Sequence, residues 1–489
     1  MAGLLDFGST HLGLAGMGLL VLYAVGALTA LDAVMRSRTP QGSTAWVFAL
    51  ATLPLAALPL YWIFGRSKFE DYTSTLRQLD TEVADGLAQA TEGPLKPFLV
   101  SRSAEADGRE AGEMRAFDAM ATLPFTRGNA LELLIDGEAT FDALFNAIDS
   151  AERYVLAQFY IIHDDAIGKR FKSHLMDAAK RGVTVRLLFD SVGSWKLPRS
   201  YRRELAKAGV HVCAFTGPRN WLKKLRLNFR NHRKIVVCDG QVGFVGGLNV
   251  GDEYMGRDEA IGPWRDTHLS VKGPTVQGLQ LSFARDWFYG TRDRLDDLTW
   301  EPTAASSNKT ALVLASGPSD ELETCGLLYT HAIESAEERV WIASPYFVPD
   351  GRVLGALQLA ALRGVDVRVL MPRTSDSLFF KWVPYAYLPE VERAGVKVYL
   401  YEPGFMHQKV ALVDRDFATV GTANFDNRSF RLNFEATVVA RDETFCDEVA
   451  AMLETDFGHS TRITQDELAD QSALFRFAAQ ATRLLAPVL

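Results

Sequence analysis

The chain repeats itself, and that repeat limits it to a duplicated architecture. Ala147-Ile148-Asp149-Ser150-Ala151-Glu152-Arg153 returns as Ala332-Ile333-Glu334-Ser335-Ala336-Glu337-Glu338, and an apolar stretch follows each copy, Tyr154 to Ile162 and Val340 to Val348. Further on, Ala178 to Leu188 is answered by Ala360 to Leu370, and Ala206 to Val212 by Val391 to Val398. The units share one grammar: an amphipathic helix ends at a glycine and a short apolar strand begins directly after it. Strand and helix alternating in this way predict α/β layers, with helices covering a largely buried sheet. Two tandem units too long for solenoid repeats predict two similar domains about a pseudo-two-fold axis. Their expected bounds are 126–300 and 310–489, the latter closing with a C-terminal helix, and the small polar residues near Trp300 to Thr310 mark the junction.

Each repeat ends in the same polar motif. The first reads His232-Arg233-Lys234, then Asp239 and Asn249; the second reads His407-Gln408-Lys409, then Asp414 and Asn424. Both have the form H-x-K-x4-D-x6-G-x-x-N without an insertion. A lone H-x-K-x4-D is expected by chance in roughly one chain in a hundred of this length; two extended copies at equivalent repeat positions are not chance. Residues two apart on a strand point to one face, so each His/Lys pair is expected on a strand that Ile235 to Cys238 or Val410 to Val413 carries into the core. Asp239 and Asp414 are expected to end that strand at a turn and are counted with the catalytic set, His232, Lys234, His407 and Lys409.

That inventory suits a phosphodiester. Two ammonium groups neutralise the non-bridging oxygens, and the Asn249 and Asn424 amides add hydrogen bonds to transition-state charge. One neutral histidine attacks phosphorus while the other, protonated, serves the leaving alkoxide. The scheme needs no metal and no cofactor. An imidazole nucleophile needs its second nitrogen held; Asp266, 34 residues beyond His232, and Glu435, 28 beyond His407, are placed to sit on the next strand as orienters.

These residues resemble the phospholipase D superfamily, whose members carry this duplicated motif. The resemblance sharpens to bacterial cardiolipin synthases with two N-terminal membrane spans, on Arg38-Thr39-Pro40 before Ala45-Trp46, Tyr160 with Asp164-Asp165, Ser344 to Asp350, and Gly421 to Phe430. It covers essentially the whole chain. It implies two phospholipase-D-type α/β domains with the active site at their interface, and transfer between two phosphatidylglycerol molecules giving cardiolipin and glycerol. By the same resemblance His232 is the nucleophile and His407 the acid/base, a symmetry the residues alone leave unbroken. Gly247 and Thr422 stand where many superfamily members have serine. A phospholipase D, a phosphatidylserine synthase and a nuclease share the catalytic kit, and an inactive membrane scaffold is the reading from a different class. A scaffold would show a lost His or Lys, and none is lost.

Two uncharged apolar runs, Leu12 to Leu31 and Ala45 to Phe64, are each long enough to cross a bilayer. They predict a transmembrane hairpin over residues 1–68 (spans about 12–32 and 45–64), followed by a juxtamembrane connector over 69–125. With the resemblance to bacterial cardiolipin synthases, this implies a multi-pass protein of the bacterial inner (plasma) membrane. Arg36 and Arg38 in the turn nearly balance Arg66 and Lys68 after it, with the catalytic part slightly favoured on the cytoplasmic side. Overall the chain carries a formal charge of −8, yet Trp195 to Lys234 holds twelve Lys or Arg against Glu204 alone, interleaved with Trp195, Tyr201, Trp221 and Phe229. Beside a membrane hairpin this pattern points to an anionic membrane surface, not nucleic acid. The stretch Leu378 to Tyr387 reads equally as an acyl-chain entrance or as core, and Leu474 to Leu489 as an interfacial helix or a packed one. Four scattered cysteines imply no disulfide framework. Self-association is left open.

Overall fold

The computed structural model describes residues 2–36, 39–65, 69–77, 86, 89–100, 109–216, 229–259, 261–374 and 382–484. The chain forms two compact units, one holding the N-terminal helices and the other both repeats.

In the first unit the helix Ala2–Arg36 contains Gly16–Arg36, 21 residues long and apolar enough to cross a membrane. Leu19, Leu20, Leu28 and Leu31 on it are more than half exposed. The second apolar run departs from the single span expected over 45–64. It forms a helix Pro40–Thr52, a break at Leu53, a helix Pro54–Leu60 and one π turn, Tyr61–Gly65. Pro54 is the cause: it has no N–H to give and disfavours the helical conformation at the residue before it, and Leu53 is displaced to φ −133°. The two helical arms approach closely at Gly26, where a Cβ would lie 3.0 Å from the Leu50 carbonyl oxygen; a small residue is what permits such contact between apolar helices. Asp32 is not left alone among apolar neighbours, since Arg36 lies at 2.8 Å and the Tyr61 hydroxyl at 2.9 Å. The flanking Arg38, Arg66 and Lys68 lie outside the described residues.

In the second unit each repeat folds into a mixed sheet with the same strand order. The first runs Thr126–Ile135, Thr267–Lys272, Val242–Gly246, Ile235–Cys238, Tyr154–Phe159, Thr184–Asp190, His211–Phe215. The second runs Lys309–Ser316, Asn433–Arg441, Phe417–Gly421, Val410–Val413, Arg339–Ala343, Asp366–Pro372, Lys397–Tyr401, with Ser460–Ile463 added at its edge. The last three strands of the common order are parallel, joined by helical crossovers, and the others are antiparallel. Strands such as Tyr154–Phe159 and Val410–Val413 are buried along their whole length, as covered sheets require.

Among the described residues, three strand pairings join the halves. Their edge strands pair antiparallel, with Thr126 opposite Ala311 and Asn129 opposite Lys309. Two short parallel bridges then cross over: Arg230–Asn231 pairs with Asn433–Phe434, and Phe405–Met406 with Trp264–Arg265. The connector is more than a spacer. Its helix Arg109–Met120 stacks Phe117 on Phe417, with ring centroids 5.2 Å apart, inside the second-half core.

Candidate active site

His232, Arg233 and Lys234 do not lie on a strand as expected. They form a link between the bridge Arg230–Asn231 and the strand Ile235–Cys238, and His407 to Lys409 do the same between Phe405–Met406 and Val410–Val413. The alternation survives, since His232 and Lys234 both act on Glu435 while Arg233 turns to Asp286. Each bridge fixes what the histidine meets. The His232 N–H donates to the Phe434 carbonyl at 3.0 Å, and the His407 N–H to the Arg265 carbonyl at 2.7 Å. The next residue on each facing chain is a carboxylate. His232 Nδ1 therefore lies 3.0 Å from both Glu435 oxygens, and His407 Nδ1 lies 2.8 Å from Asp266 Oδ2. Each orienter serves the histidine of the other half, not of its own.

Both carboxylates are fully buried. Burial pushes Glu435 up, but His232 and Lys234 outweigh it and hold the carboxyl below its usual range; Asp266 is likewise raised by burial and pulled lower by Lys409 and His407. Glu435 also accepts from Thr422 Oγ1 (2.5 Å) and Ser429 Oγ (2.9 Å). The matching position in the first half is Gly247, where a Cβ would collide with the Asp266 carboxylate. The serine position thus splits by need: a hydroxyl supports the longer glutamate, and nothing at all makes room for the aspartate.

With an anionic partner at Nδ1, that nitrogen carries the proton and Nε2 keeps its lone pair. Lys409 Nζ lies 2.9 Å from His407 Nδ1 as a second charge neighbour, and Lys234 Nζ donates to the His232 carbonyl at 2.6 Å. Burial, with Lys234 and Lys409 adding to it, depresses His232 to about 4 despite Glu435. Burial and Lys409 take His407 to about 3 despite Asp266. Both imidazoles are thereby biased towards the neutral form. Burial also drives Lys234 well below the usual lysine range. Tyr160 walls the pocket, its ring 5.1 Å from that of His232 and 5.4 Å from Lys234 Nζ.

The asparagines are not equivalent. Asn249 is engaged at both ends, its Oδ1 accepting from the Ile161 N–H (3.1 Å) and its Nδ2 donating to the Tyr254 hydroxyl (3.0 Å). Asn424 is buried, and its Oδ1 has no hydrogen-bond partner among the described residues. The motif aspartates, expected in the catalytic set, stand apart from the imidazoles. Asp239 lies beyond the strand, roughly 16 Å of extended chain from Lys234. Its carboxylate is taken by the N–H groups of Glu152, Arg153 and Tyr154 at 2.8–2.9 Å. Asp414 does the same for Glu337, Glu338 and Arg339. Both adopt left-handed backbone, φ 55° and 50°, which aspartate tolerates at turns.

Of the basic, aromatic stretch, 217–228 lies outside the described residues, including Trp221. What is described is an exposed Trp195 with Lys196 against it and a helix Arg199–Lys207 that buries Tyr201 and Leu205. Of Leu378 to Tyr387, 378–381 lies outside the described residues; Val383, Ala386 and Tyr387 are core. The C-terminal helix Ala473–Thr482 divides its faces, packing Phe475 on Tyr385 while Leu474 and Phe477 stay exposed; 485–489 is outside the described residues. Cys213, Cys238, Cys325 and Cys446 are free thiols. Among the described residues no three His, Cys, Asp or Glu side chains group as a metal site.

Two buried imidazoles, each held at Nδ1 by a carboxylate of the other half and each with a lysine beside it, make up the candidate active site. A family model described as "Cardiolipin synthase, PLD-like domain" matches residues 144–287 and 329–457. Cardiolipin synthase A of Pseudomonas fluorescens is 43% identical over 99% of this chain and 100% of its own length. Cardiolipin synthase A of Pseudomonas aeruginosa is 44% identical over 98% and 97%. The chain belongs to the cardiolipin synthase family, phosphatidyltransferases of the phospholipase D superfamily. A phosphatidylserine synthase from Haemophilus influenzae shares the fold at 14% identity, with a TM-score of 0.60 over 77% of this chain and 100% of its own.

Proposed function

We propose that this chain joins two phosphatidylglycerol molecules into cardiolipin and glycerol through a phosphatidyl-histidine. The observation that carries the reading is the reciprocal pairing of His232 with Glu435 and His407 with Asp266. One histidine attacks phosphorus through Nε2, forming a P–N bond as the P–O bond to glycerol breaks. The other gives the departing alkoxide its proton, then takes one from the hydroxyl of the second phosphatidylglycerol as that oxygen displaces the histidine. Resemblance assigns the attack to His232. Lys234 and Lys409 neutralise the non-bridging oxygens, and the Asn424 amide adds a hydrogen bond to the transition-state charge.

Burial biases both imidazoles towards the neutral form, whereas the scheme needs one of them protonated. The substrate supplies the remedy. A monoanion about 4 Å away at an effective dielectric of about 20 is worth about 4 kcal/mol, roughly a thousandfold in proton affinity. This suffices to bring one imidazole into the range where it donates near neutrality. Phosphodiester binding thus charges the acid that its own cleavage requires.

The N-terminal helices hold the enzyme as a multi-pass protein of the bacterial inner membrane, with Arg66 and Lys68 favouring a cytoplasmic catalytic part. The test is purified protein given phosphatidylglycerol alone, with products resolved by lipid mass spectrometry. Cardiolipin and glycerol in equal amounts are expected. Phosphatidic acid without cardiolipin would sink the transferase reading.

A further inference from the structure

Behind the catalytic histidines, on the opposite side of each H-x-K segment, lies a second pair of buried polar clusters that the reaction scheme does not use. In the first half Arg233 is fixed three ways: Nε donates to the Glu435 carbonyl (3.0 Å), Nη2 to the Ser316 carbonyl (3.1 Å) and Nη1 to Asp286 Oδ2 (2.8 Å). Asp286 is fully buried and is also bonded by Tyr72, Gln158 and Asn231. In the second half the middle motif residue is Gln408, and the guanidinium comes from elsewhere. Arg265 donates Nη1 to the Asp266 carbonyl (2.6 Å) and binds Asp456 with Nε and Nη2, both at 2.8 Å. Gln408 bonds Asp456 (2.8 Å) and accepts from Thr267 (3.0 Å).

The two clusters are one device built two ways. In each, a guanidinium grips the main-chain carbonyl of the orienting carboxylate residue and is itself anchored by an aspartate on the last long helix of a repeat, Val276–Thr291 or Glu443–Gly458. The arginine stands at the motif's middle position in one half, with Phe434 before the carboxylate. In the other half it stands before the carboxylate, with Gln408 in the middle. Buried guanidiniums are expensive to desolvate unless every donor finds an acceptor, and retaining one at both carboxylates by different routes marks a shared requirement.

We propose that Arg233 with Asp286, and Arg265 with Asp456, are positioning clamps that fix Glu435 and Asp266 against the catalytic histidines. The inference rests on the two-histidine reading above. Holding the carbonyl fixes the backbone from which the carboxylate springs, and so fixes the imidazole it orients. The groups facing His232 are Glu435, Lys234, Lys409 and Tyr160; of these, Glu435 is the one that raises its proton affinity, so a slack Glu435 moves its titration to lower pH.

The pseudo-symmetry supplies the experiment. Arg233→Gln puts the second-half residue into the first half, and adding Phe434→Arg completes the exchange. Arg233→Gln alone is expected to lower kcat about ten- to a hundredfold, with KM little changed and the acid limb of the pH–kcat profile moved downward. The double variant regains most of the rate and the original limb. A folded Arg233→Gln enzyme with unaltered kcat and pH profile overturns the proposal. Should the arginine variants not fold, the isosteric Asp286→Asn must show the same kcat loss and limb shift; an unmoved limb in that folded variant overturns it equally. His232→Ala in the same assay separates the two readings: activity surviving there removes the two-histidine scheme itself, whatever the clamp variants do.

Discussion

His232 and Glu435 stand 203 positions apart in sequence, and both carboxylate oxygens of the second lie 3.0 Å from Nδ1 of the first. The contact is reciprocal with that of His407 and Asp266, 141 positions apart. Neither repeat contains a complete oriented histidine. The active site is a property of the pair.

Replacing either histidine by alanine is expected to reduce cardiolipin formation by at least about a thousandfold, because attack and proton transfer each need an imidazole. The two variants should differ in one respect. Incubated with radiolabelled phosphatidylglycerol and quenched, only the variant retaining the nucleophile can carry label on protein. Label on His407→Ala and none on His232→Ala assigns the attack to His232; the reverse pattern reassigns it, and full turnover in either variant discards the scheme.

Glu435→Gln and Asp266→Asn keep shape and remove the charge that orients each imidazole. Each is expected to lower kcat about ten- to a hundredfold while the thermal transition moves little. Steady-state kinetics on both variants check this, and wild-type kcat in either would remove that carboxylate from the mechanism.

At the serine position the halves should respond oppositely to the same residue. Gly247→Ser drives a side chain into the Asp266 carboxylate and is expected to lower kcat more than tenfold. Thr422→Ser keeps the hydroxyl that Glu435 accepts from and should stay within about twofold of wild type. Equal tolerance of serine at both positions would contradict the geometry.

Acid should weaken the fold through its buried histidines. His232, His407 and His268 are depressed by burial to about 4, 3 and 3, below an unfolded value near 6.5. The unfolded chain binds their protons first, so the stabilisation is complete above pH 6.5 and is lost as pH falls towards 4 and 3. Thermal unfolding from pH 7 to pH 4 should show a falling midpoint, with a shallower slope in His268→Asn. An unchanged slope would mean that His268 titrates normally.

Removing a motif aspartate should act on folding before chemistry. Asp239→Ala or Asp414→Ala deletes an acceptor shared by three N–H groups and is expected to destabilise by about 2–3 kcal/mol. Turnover per folded molecule should stay near wild type, as measured by kcat against the soluble, folded fraction. A dead but fully folded variant would return these residues to the reaction.

Much of this was legible in the residues. Ala147 to Arg153 against Ala332 to Glu338 revealed the duplication, and the spacing from His232 to Asn249 and from His407 to Asn424 located the pocket. The partner of each histidine was not legible, because distance along the chain to Asp266 or Glu435 says nothing about which half its strand will face. That choice is made by the bridges at Arg230–Asn231 and Phe405–Met406, too short to leave a pattern. The break at Leu53 was readable from Pro54 but was masked by the unbroken hydropathy around it. Asp286 and Asp456 left a faint sign, each an aspartate followed by an aromatic residue late in its repeat; apolar periodicity hides such residues because it treats a buried acid as an interruption.

The exchanged bridges bear on how such a chain could have arisen. A protein with one repeat would present a histidine without its carboxylate and a carboxylate without its histidine. Only a second copy, related by a two-fold axis, would satisfy both. Two halves in one chain need not be identical, so glutamate serves one imidazole and aspartate the other, with Thr422 and Gly247 behind them. Two separate identical copies would have to make one carboxylate suit both imidazoles; the covalent pair is released from that constraint.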